Sequence, residues 1–138
     1  MPTLSSAMDV GNPSNLARIQ YLYEGDIHRL RRDLSGRGIS DRETRECIQR
    51  THDETGYLLD PHSAVGLTAL ELEMEERPDF IGVLLATAHP SKFAETVESV
   101  LGHAIPVPTR LARCLEGTRK VIPMDPEPGA LRELLLEK

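Results

Sequence analysis

The sequence predicts a helix-rich α/β protein, a partial three-layer sandwich with two or three short, mostly parallel strands. Residues 80–86 carry no charge and no side-chain hydrogen-bonding group, which is typical of a strand buried on both faces of a parallel sheet. Pro90 follows the polar turn Thr87-Ala88-His89 and favours the start of a helix directly after that strand. Several further helices with clear start and stop signals lie on either side of this unit.

The amino-terminal part of the chain is expected to contain one interrupted helix. Residues 7–10 suit either a brief strand or an extended loop. Asn12 is the expected N-cap, and Pro13 the expected first residue, of an amphipathic helix. Apolar residues recur at helical spacing as far as Leu34, with an interruption expected near Gly25.

Two further helices have strong local start signals. Ser40 and Glu43 have the spacing of a capping box, and the charged helix that follows should lie on the outside and stop at Gly56. Asp60 then caps a helix that begins at Pro61. The first two turns of that helix are apolar nearly all round, which is typical of a helix buried at its beginning.

The carboxy-terminal part combines short helices with one more short strand. The helix after Pro90 should end at Gly102, and a proline-rich connection leads to a short helix over residues 111–115. Residues 120–122 suit a strand. Residues 125–126 open a last amphipathic helix.

Charge and cysteine content exclude several classes of function. The 138 residues include 22 acidic and 16 basic side chains, a net charge of −6 that argues against a nucleic-acid or anionic-membrane surface. No apolar run approaches the ~20 residues of a membrane span, and no secretory signal is present. Cys47 and Cys114 lie far apart and no metal-ligand spacing occurs, so we expect two reduced thiols, no metal site and a cytoplasmic protein.

The predicted central strand lacks neighbours in this sequence. A strand buried on both faces needs a strand on each side, and exposed sheet edges are hazards that native proteins cover. We therefore expect the sheet to be completed elsewhere, either by sequence missing from this chain or by another chain.

Three motifs, in order along the chain, resemble threonine synthase. They are residues 7–15 (AMDVGNPSN), 60–66 (DPHSAVG) and 86–93 (ATAHPSKF). The similarity spans essentially the whole chain but only the carboxy-terminal third of that enzyme. It implies that residues 1–138 form the carboxy-terminal part of the large cofactor-binding domain of a tryptophan synthase β-like fold, with a helical segment, 1–56, and an α/β segment, 57–138.

The resemblance also implies a reaction. Threonine synthases are lyases of threonine biosynthesis that convert O-phospho-L-homoserine and water to L-threonine and phosphate, using pyridoxal phosphate bound on a lysine. That lysine lies in a family segment with no counterpart here, and Lys92, Lys120 and Lys138 do not match it. The chain alone is therefore expected to be inactive.

The resemblance also names candidate site residues. Thr87 matches the hydroxyl that meets the pyridine nitrogen of the cofactor in related enzymes, although a turn or cap position would also explain it. His89 is the second cofactor-binding candidate, and bridging backbone groups at the helix start would explain it equally well. The substrate-site candidates are polar residues from two of the motifs: Asp9, Asn12, Asn15 and His62. A satisfied core position would also explain His62, and helix capping explains much of Asn12.

Two classes of function stay open at this stage. The first is an enzyme segment that acts on a small-molecule substrate and needs the missing amino-terminal part of the enzyme as its partner. The second is a non-enzymatic module, either a truncated remnant or a fragment that covers its sheet edges by self-association. Neither class involves nucleic acid or a membrane.

Overall fold

Helices account for all the regular secondary structure in residues 3–6, 13–118 and 120–136, the part of the chain described by a computed structural model. In chain order they are α1 (Leu16–Leu22), α2 (Ile27–Asp33), α3 (Asp41–Thr55), α4 (Pro61–Glu76), a 3-10 helix (Pro90–Phe93), α5 (Ala94–Leu101), α6 (Thr109–Leu115) and α7 (Pro128–Leu136). The chain divides into two compact units, Met1–Pro106 and Val107–Lys138. No helix among these residues is long and apolar enough to cross a membrane.

The first helical region is interrupted near Gly25, as predicted. Gly25 has a φ of 76°, a left-handed conformation that turns the chain out of α1 before α2 begins. The predicted start was wrong, because Pro13 lies in a turn before the helix, where its carbonyl accepts a hydrogen bond from the Leu16 amide at 3.1 Å. The expectations for residues 7–10 and Asn12 fall outside the described residues.

Helices α3 and α4 begin where the sequence predicts. The Ser40 side chain accepts a hydrogen bond from the Glu43 amide at 3.3 Å, and the Glu43 carboxylate accepts one from the Ser40 amide at 2.8 Å. Asp60, only 1% exposed, accepts hydrogen bonds from the amides of His62 and Ser63 and from the Ser63 hydroxyl. Each cap satisfies amides that the first turn of a helix leaves without partners.

The core of the first unit lies where α3 packs against α4 and α5. Its buried apolar side chains come from these three helices and from the segments that follow α3 and α5: Cys47, Ile48, Leu59, Ala64, Val97 and Ile105. At the start of α4, Pro61, Ser63 and Ala64 are buried, whereas its last three residues are exposed. The predicted burial of this helix at its beginning is confirmed.

The two or three predicted strands are absent from the described residues, which corrects the predicted fold class. Residues 80–86 and 120–122 have no regular secondary structure. No described residue makes a backbone hydrogen bond to residues 81–88. A strand is defined by hydrogen bonds to a neighbouring strand, and an apolar sequence alone cannot supply them.

Residues 81–85 nevertheless retain the side-chain pattern of a strand. Ile81, Val83 and Leu85 are 93%, 76% and 78% exposed. Gly82 and Leu84, which alternate with them, are partly buried. A period of two is the pattern of a strand with one face against a helix and the other uncovered.

The partly buried side of this segment lies on α4, and two glycines permit the close approach. A Cβ atom on Gly82 would lie 2.5 Å from the Met74 Sδ and 3.0 Å from the Leu70 side chain. A Cβ atom on Gly66, within α4, would lie 2.8 Å from the Leu84 Cδ1. A side chain at either position would have to displace the ends of these neighbouring side chains.

The second unit contains α6 and α7. Neither helix contributes a buried residue. Val121 and Ile122, in the segment predicted as a strand, are 66% and 62% exposed. The last helix begins at Pro128, two residues after the predicted opening.

Candidate functional site

An open cavity of about 560 Å³ lies between the end of α3 and the turn before the 3-10 helix. Gly56 ends α3 as predicted, with a φ of 72°, and turns the chain along one wall. The lining consists of two short segments and one further proline: Gly56, Tyr57, Leu58, Ala86, Thr87, Ala88, His89, Pro90 and Pro106. The cavity therefore lies at the carboxyl end of residues 80–86, where the sequence predicts a site.

Thr87 and His89, the two predicted cofactor-binding residues, line this cavity together. Both side chains are exposed. The Thr87 hydroxyl makes no hydrogen bond to any residue that the structure describes. A hydroxyl that is held at a cavity wall without a protein partner is available to a ligand, as donor or as acceptor.

His89 lines the cavity and also caps the 3-10 helix. Its Nδ1 accepts a hydrogen bond from the Ser91 amide at 3.2 Å and lies 2.6 Å from the Ser91 Oγ. Pro90 at the first helical position needs no partner for its nitrogen, so the side chain of His89 serves the next free amide. The two alternatives considered for His89, a cavity position and a bridge at the helix start, coexist in this geometry.

His62 lies close to the cavity wall but is not part of it. Its Nδ1 is 3.3 Å from the Oδ1 of the buried Asp60, and its side chain is 43% exposed. The ring packs edge-on against Phe93, with ring centroids 5.1 Å apart. His62 therefore connects the first turn of α4 to the end of the 3-10 helix that begins at the cavity.

The remaining predicted residues are not brought to the cavity by the described part of the chain. Asn15 is exposed and precedes α1 without a side-chain capping bond. Asp9 and Asn12 lie outside the described residues. No group of three or more potential metal ligands occurs among the residues that are described.

Sequence reasoning missed several cavity residues. Tyr57, Leu58 and Pro106 carry no motif that separates them from ordinary loop residues. The one usable signal was Gly56, because a helix that stops there must direct the next residues away from its axis. Proximity between the end of α3 and the turn at Thr87 is a tertiary contact that neither segment encodes locally.

The lining fits one edge of pyridoxal phosphate. The nine residues supply the hydroxyls of Tyr57 and Thr87 and the imidazole of His89, together with apolar and backbone surface. Such a set suits a flat heteroaromatic ring with one nitrogen to satisfy. None of the nine is lysine or arginine, so this lining holds neither an amine for the aldehyde nor a cationic cradle for the phosphate.

The described residues thus form an open cavity at the turn between an apolar segment and a helix. A family model described as "Threonine synthase, C-terminal" matches residues 63–135. The chain belongs to the threonine synthase family. The predicted resemblance is confirmed.

The relatives to which the chain is similar in sequence are also threonine synthases. The chain is 39% identical over 110 residues to threonine synthase of Serratia marcescens, covering 80% of this chain and 25% of that protein. It is 35% identical over 135 residues to threonine synthase of Haemophilus influenzae, covering 98% of this chain and 31% of that protein. The chain therefore spans between a quarter and a third of the length of these relatives.

Solved structures show the same relationship. The crystal structure of threonine synthase from Escherichia coli matches 99% of this chain with a TM-score of 0.75 and 32% identity, over 31% of that protein. Threonine synthase from Brucella melitensis, a structure with bound pyridoxal phosphate, matches 86% of this chain with a TM-score of 0.59 and 28% identity, over 30% of that protein.

Proposed function

We propose that this chain supplies one wall of the active site of a threonine synthase, which converts O-phospho-L-homoserine and water to L-threonine and phosphate. The observation that carries the proposal is Thr87, an exposed hydroxyl without a described partner at the wall of a cavity, in a chain of this family. The cofactor would be pyridoxal phosphate, which is bound in the structure of the Brucella melitensis relative.

Thr87 would hold the ring nitrogen of that cofactor. When bound, pyridoxal phosphate supplies an electron sink to the reaction. A threonine hydroxyl can donate a hydrogen bond to an unprotonated ring nitrogen, whereas a carboxylate at the same place would favour the protonated ring. Thr87 would therefore orient the ring and moderate its electron demand.

The uncovered side of residues 81–85 is the proposed contact with the rest of the enzyme. Ile81, Val83 and Leu85 together form an apolar row, and the backbone beside them has no partner among the described residues. The chain spans at most 31% of the relatives named above, so sequence outside these 138 residues is available to cover it. Backbone pairing along this segment would both complete a sheet and bury the row.

A chimera with the Escherichia coli enzyme tests the proposed function. The matched 31% of that enzyme is replaced by this chain, in a strain that requires threonine because its own copy lacks the segment. We expect growth without threonine and threonine formation by the purified chimera. The control restores the original segment. A folded chimera that binds pyridoxal phosphate but forms no threonine would contradict the proposal.

Thr87→Val in the chimera tests the role of the hydroxyl. Valine keeps the shape, and a buried acceptor left without a partner costs about 1–3 kcal/mol. We therefore expect about tenfold to hundredfold weaker cofactor retention or slower turnover, measured by equilibrium dialysis and by threonine formation. Thr87→Ser should restore most of the loss. Thr118→Val, an exposed threonine of the other unit, is the control and should behave as the parent.

A further inference from the structure

His89 has a hydrogen-bonding pattern that defines the position of its proton. The Ser91 backbone amide lies 3.2 Å from the His89 Nδ1, and an amide can only donate. The Nδ1 must therefore carry a lone pair and no hydrogen. The Ser91 hydroxyl, 2.6 Å from the same nitrogen, can rotate to donate as well.

A neutral imidazole with an unprotonated Nδ1 carries its hydrogen on Nε2. A protonated ring would instead place a second donor opposite the Ser91 amide, so the capped geometry belongs to the neutral ring. No described residue accepts a hydrogen bond from the Nε2. His89 thus offers its surroundings one N–H donor.

The donor belongs to a residue of the cavity wall, since His89 and Thr87 line the same cavity. Among the nine residues of the lining, His89 is the one with a side-chain nitrogen. The orientation of the ring is fixed by its hydrogen bond with the Ser91 amide, because rotation of the ring would leave that amide without an acceptor. A donor whose orientation is set before the ligand arrives loses little entropy on binding.

We propose that His89 binds an anionic oxygen of the ligand as a fixed, neutral N–H donor and does not act as a base. The proposal rests on the proposed function, in which both the substrate and the cofactor carry a phosphate. The cofactor also carries a ring oxygen. All of these accept a hydrogen bond, so the class of group recognised is an anionic oxygen.

Two substitutions separate this role from helix capping. Asparagine is a favoured cap, and its side-chain oxygen can replace the Nδ1 as acceptor, but it places nothing at the position of Nε2. Glutamine reaches towards the position of Nε2 with an amide donor. His89→Asn should therefore keep the thermal midpoint of the chain and lose the ligand contact, and His89→Gln should regain part of that contact.

The first measurement is the tautomer itself, read from imidazole nitrogen shifts of this 138-residue chain by long-range proton–nitrogen NMR. His89 is assigned by the signal lost in His89→Asn. We expect the Nε2–H tautomer at neutral pH. An Nδ1–H tautomer or an even mixture would overturn the proposal, and this result does not depend on whether the chimera makes threonine.

The second measurement is ligand affinity in the chimera, for inorganic phosphate, pyridoxal phosphate and pyridoxal. A hydrogen bond to a charged acceptor predicts about tenfold to hundredfold weaker binding by His89→Asn. Loss of affinity for inorganic phosphate alone assigns the contact to the substrate phosphate. Loss of affinity for pyridoxal phosphate but not for pyridoxal assigns the contact to the cofactor phosphate. Loss for both forms of pyridoxal assigns it to the ring oxygen. Unchanged affinity for all three probes would overturn the proposal even if the parent chimera makes threonine.

Discussion

Helix α4 and residues 80–88 lie against each other, yet they differ in how their backbone is satisfied. The N-terminal amides of α4 are capped by Asp60, and its interior amides bond within the helix. The backbone of residues 81–88 has no such partner among the described residues. The sequence pattern of each segment strongly predicts a regular structure, so the strength of the local pattern does not explain the difference.

The comparison shows which kind of structure a segment can complete by itself. A helix finds its hydrogen bonds a few residues away along the chain, whereas a strand finds them on another strand. Residues 81–85 keep the alternating burial of a strand because packing on α4 requires only side chains. The segment therefore has the side-chain pattern of a strand but lacks hydrogen bonds to a neighbouring strand among the described residues.

The largest effect should come from the cap of α4. Asp60→Ala removes the acceptor of two amides and leaves the Ser63 hydroxyl buried without its partner. Loss of the cap together with an unsatisfied buried group should lower the free energy of unfolding by about 3 kcal/mol, measured by urea denaturation. Asp26 also caps two amides, at the exposed start of α2. Asp26→Ala should cost about 1 kcal/mol or less, and equal losses would contradict the claim that burial makes the difference.

The next effect tests whether the segment packs on α4 as described. Gly82→Ala places a Cβ against the side chains of Met74 and Leu70, which must shift. Overpacking of this kind should lower the free energy of unfolding by about 1–2 kcal/mol. Gly38→Ala is the matched control, because a Cβ there meets nothing within 4 Å and the change should be neutral or slightly stabilising. A neutral Gly82→Ala would contradict the expected cost of moving these two side chains.

The sequence predicts the helices of this chain well because their determinants are local. The capping box at Ser40, the proline starts at Pro61 and Pro90, and the glycine stop at Gly56 all act within one turn of the helix. Pro13 misled the prediction because a proline also suits the turn that precedes a helix. Burial of α4 at its beginning was predictable from its composition alone.

The cavity was predictable only in part. Thr87 and His89 were found because they follow an apolar run and precede a proline, which are local features. Tyr57 and Pro106 were missed because they reach the cavity through packing of α3 and α5 and not through any pattern of their own. The absence of strands from the described residues could not be foreseen, since the pairing of residues 80–86 depends on sequence that the local pattern does not contain.

A smaller effect is the pH dependence of the capping box at α3. Hydrogen bonds from the Ser40 side chain and backbone lower the pKa of Glu43 from its ordinary value of 4.5. A lowered folded-state pKa means that this contribution to stability is fully present above about pH 4.5 and is lost as the pH falls through the folded-state pKa. The free energy of unfolding, measured by urea at steps from neutral pH into this acidic range, should fall less steeply in Glu43→Gln than in the parent.

The smallest effect on the chain itself should come from the large apolar side chain that is most exposed among the described residues. Ile81 is 93% exposed, so Ile81→Lys should change the free energy of unfolding of the 138-residue chain by less than about 0.5 kcal/mol. The same change should prevent the chimera from supporting growth without threonine, because a lysine would be buried against the segment that covers residues 81–85.

Two measurements decide what covers Ile81. Tyr21, 83% exposed on α1, provides the control, and Tyr21→Lys should leave both stability and growth unchanged. Sedimentation of the isolated chain then separates the two partners considered for the apolar row. If the parent chain self-associates and Ile81→Lys does not, the apolar row binds a second copy of this chain when no other sequence is present. If the parent chain and the variant are both monomers, the remainder of the enzyme is the segment that covers the row. A chimera with Ile81→Lys that supports growth as well as the parent would show that the row stays open to water, and the proposed contact would then be wrong.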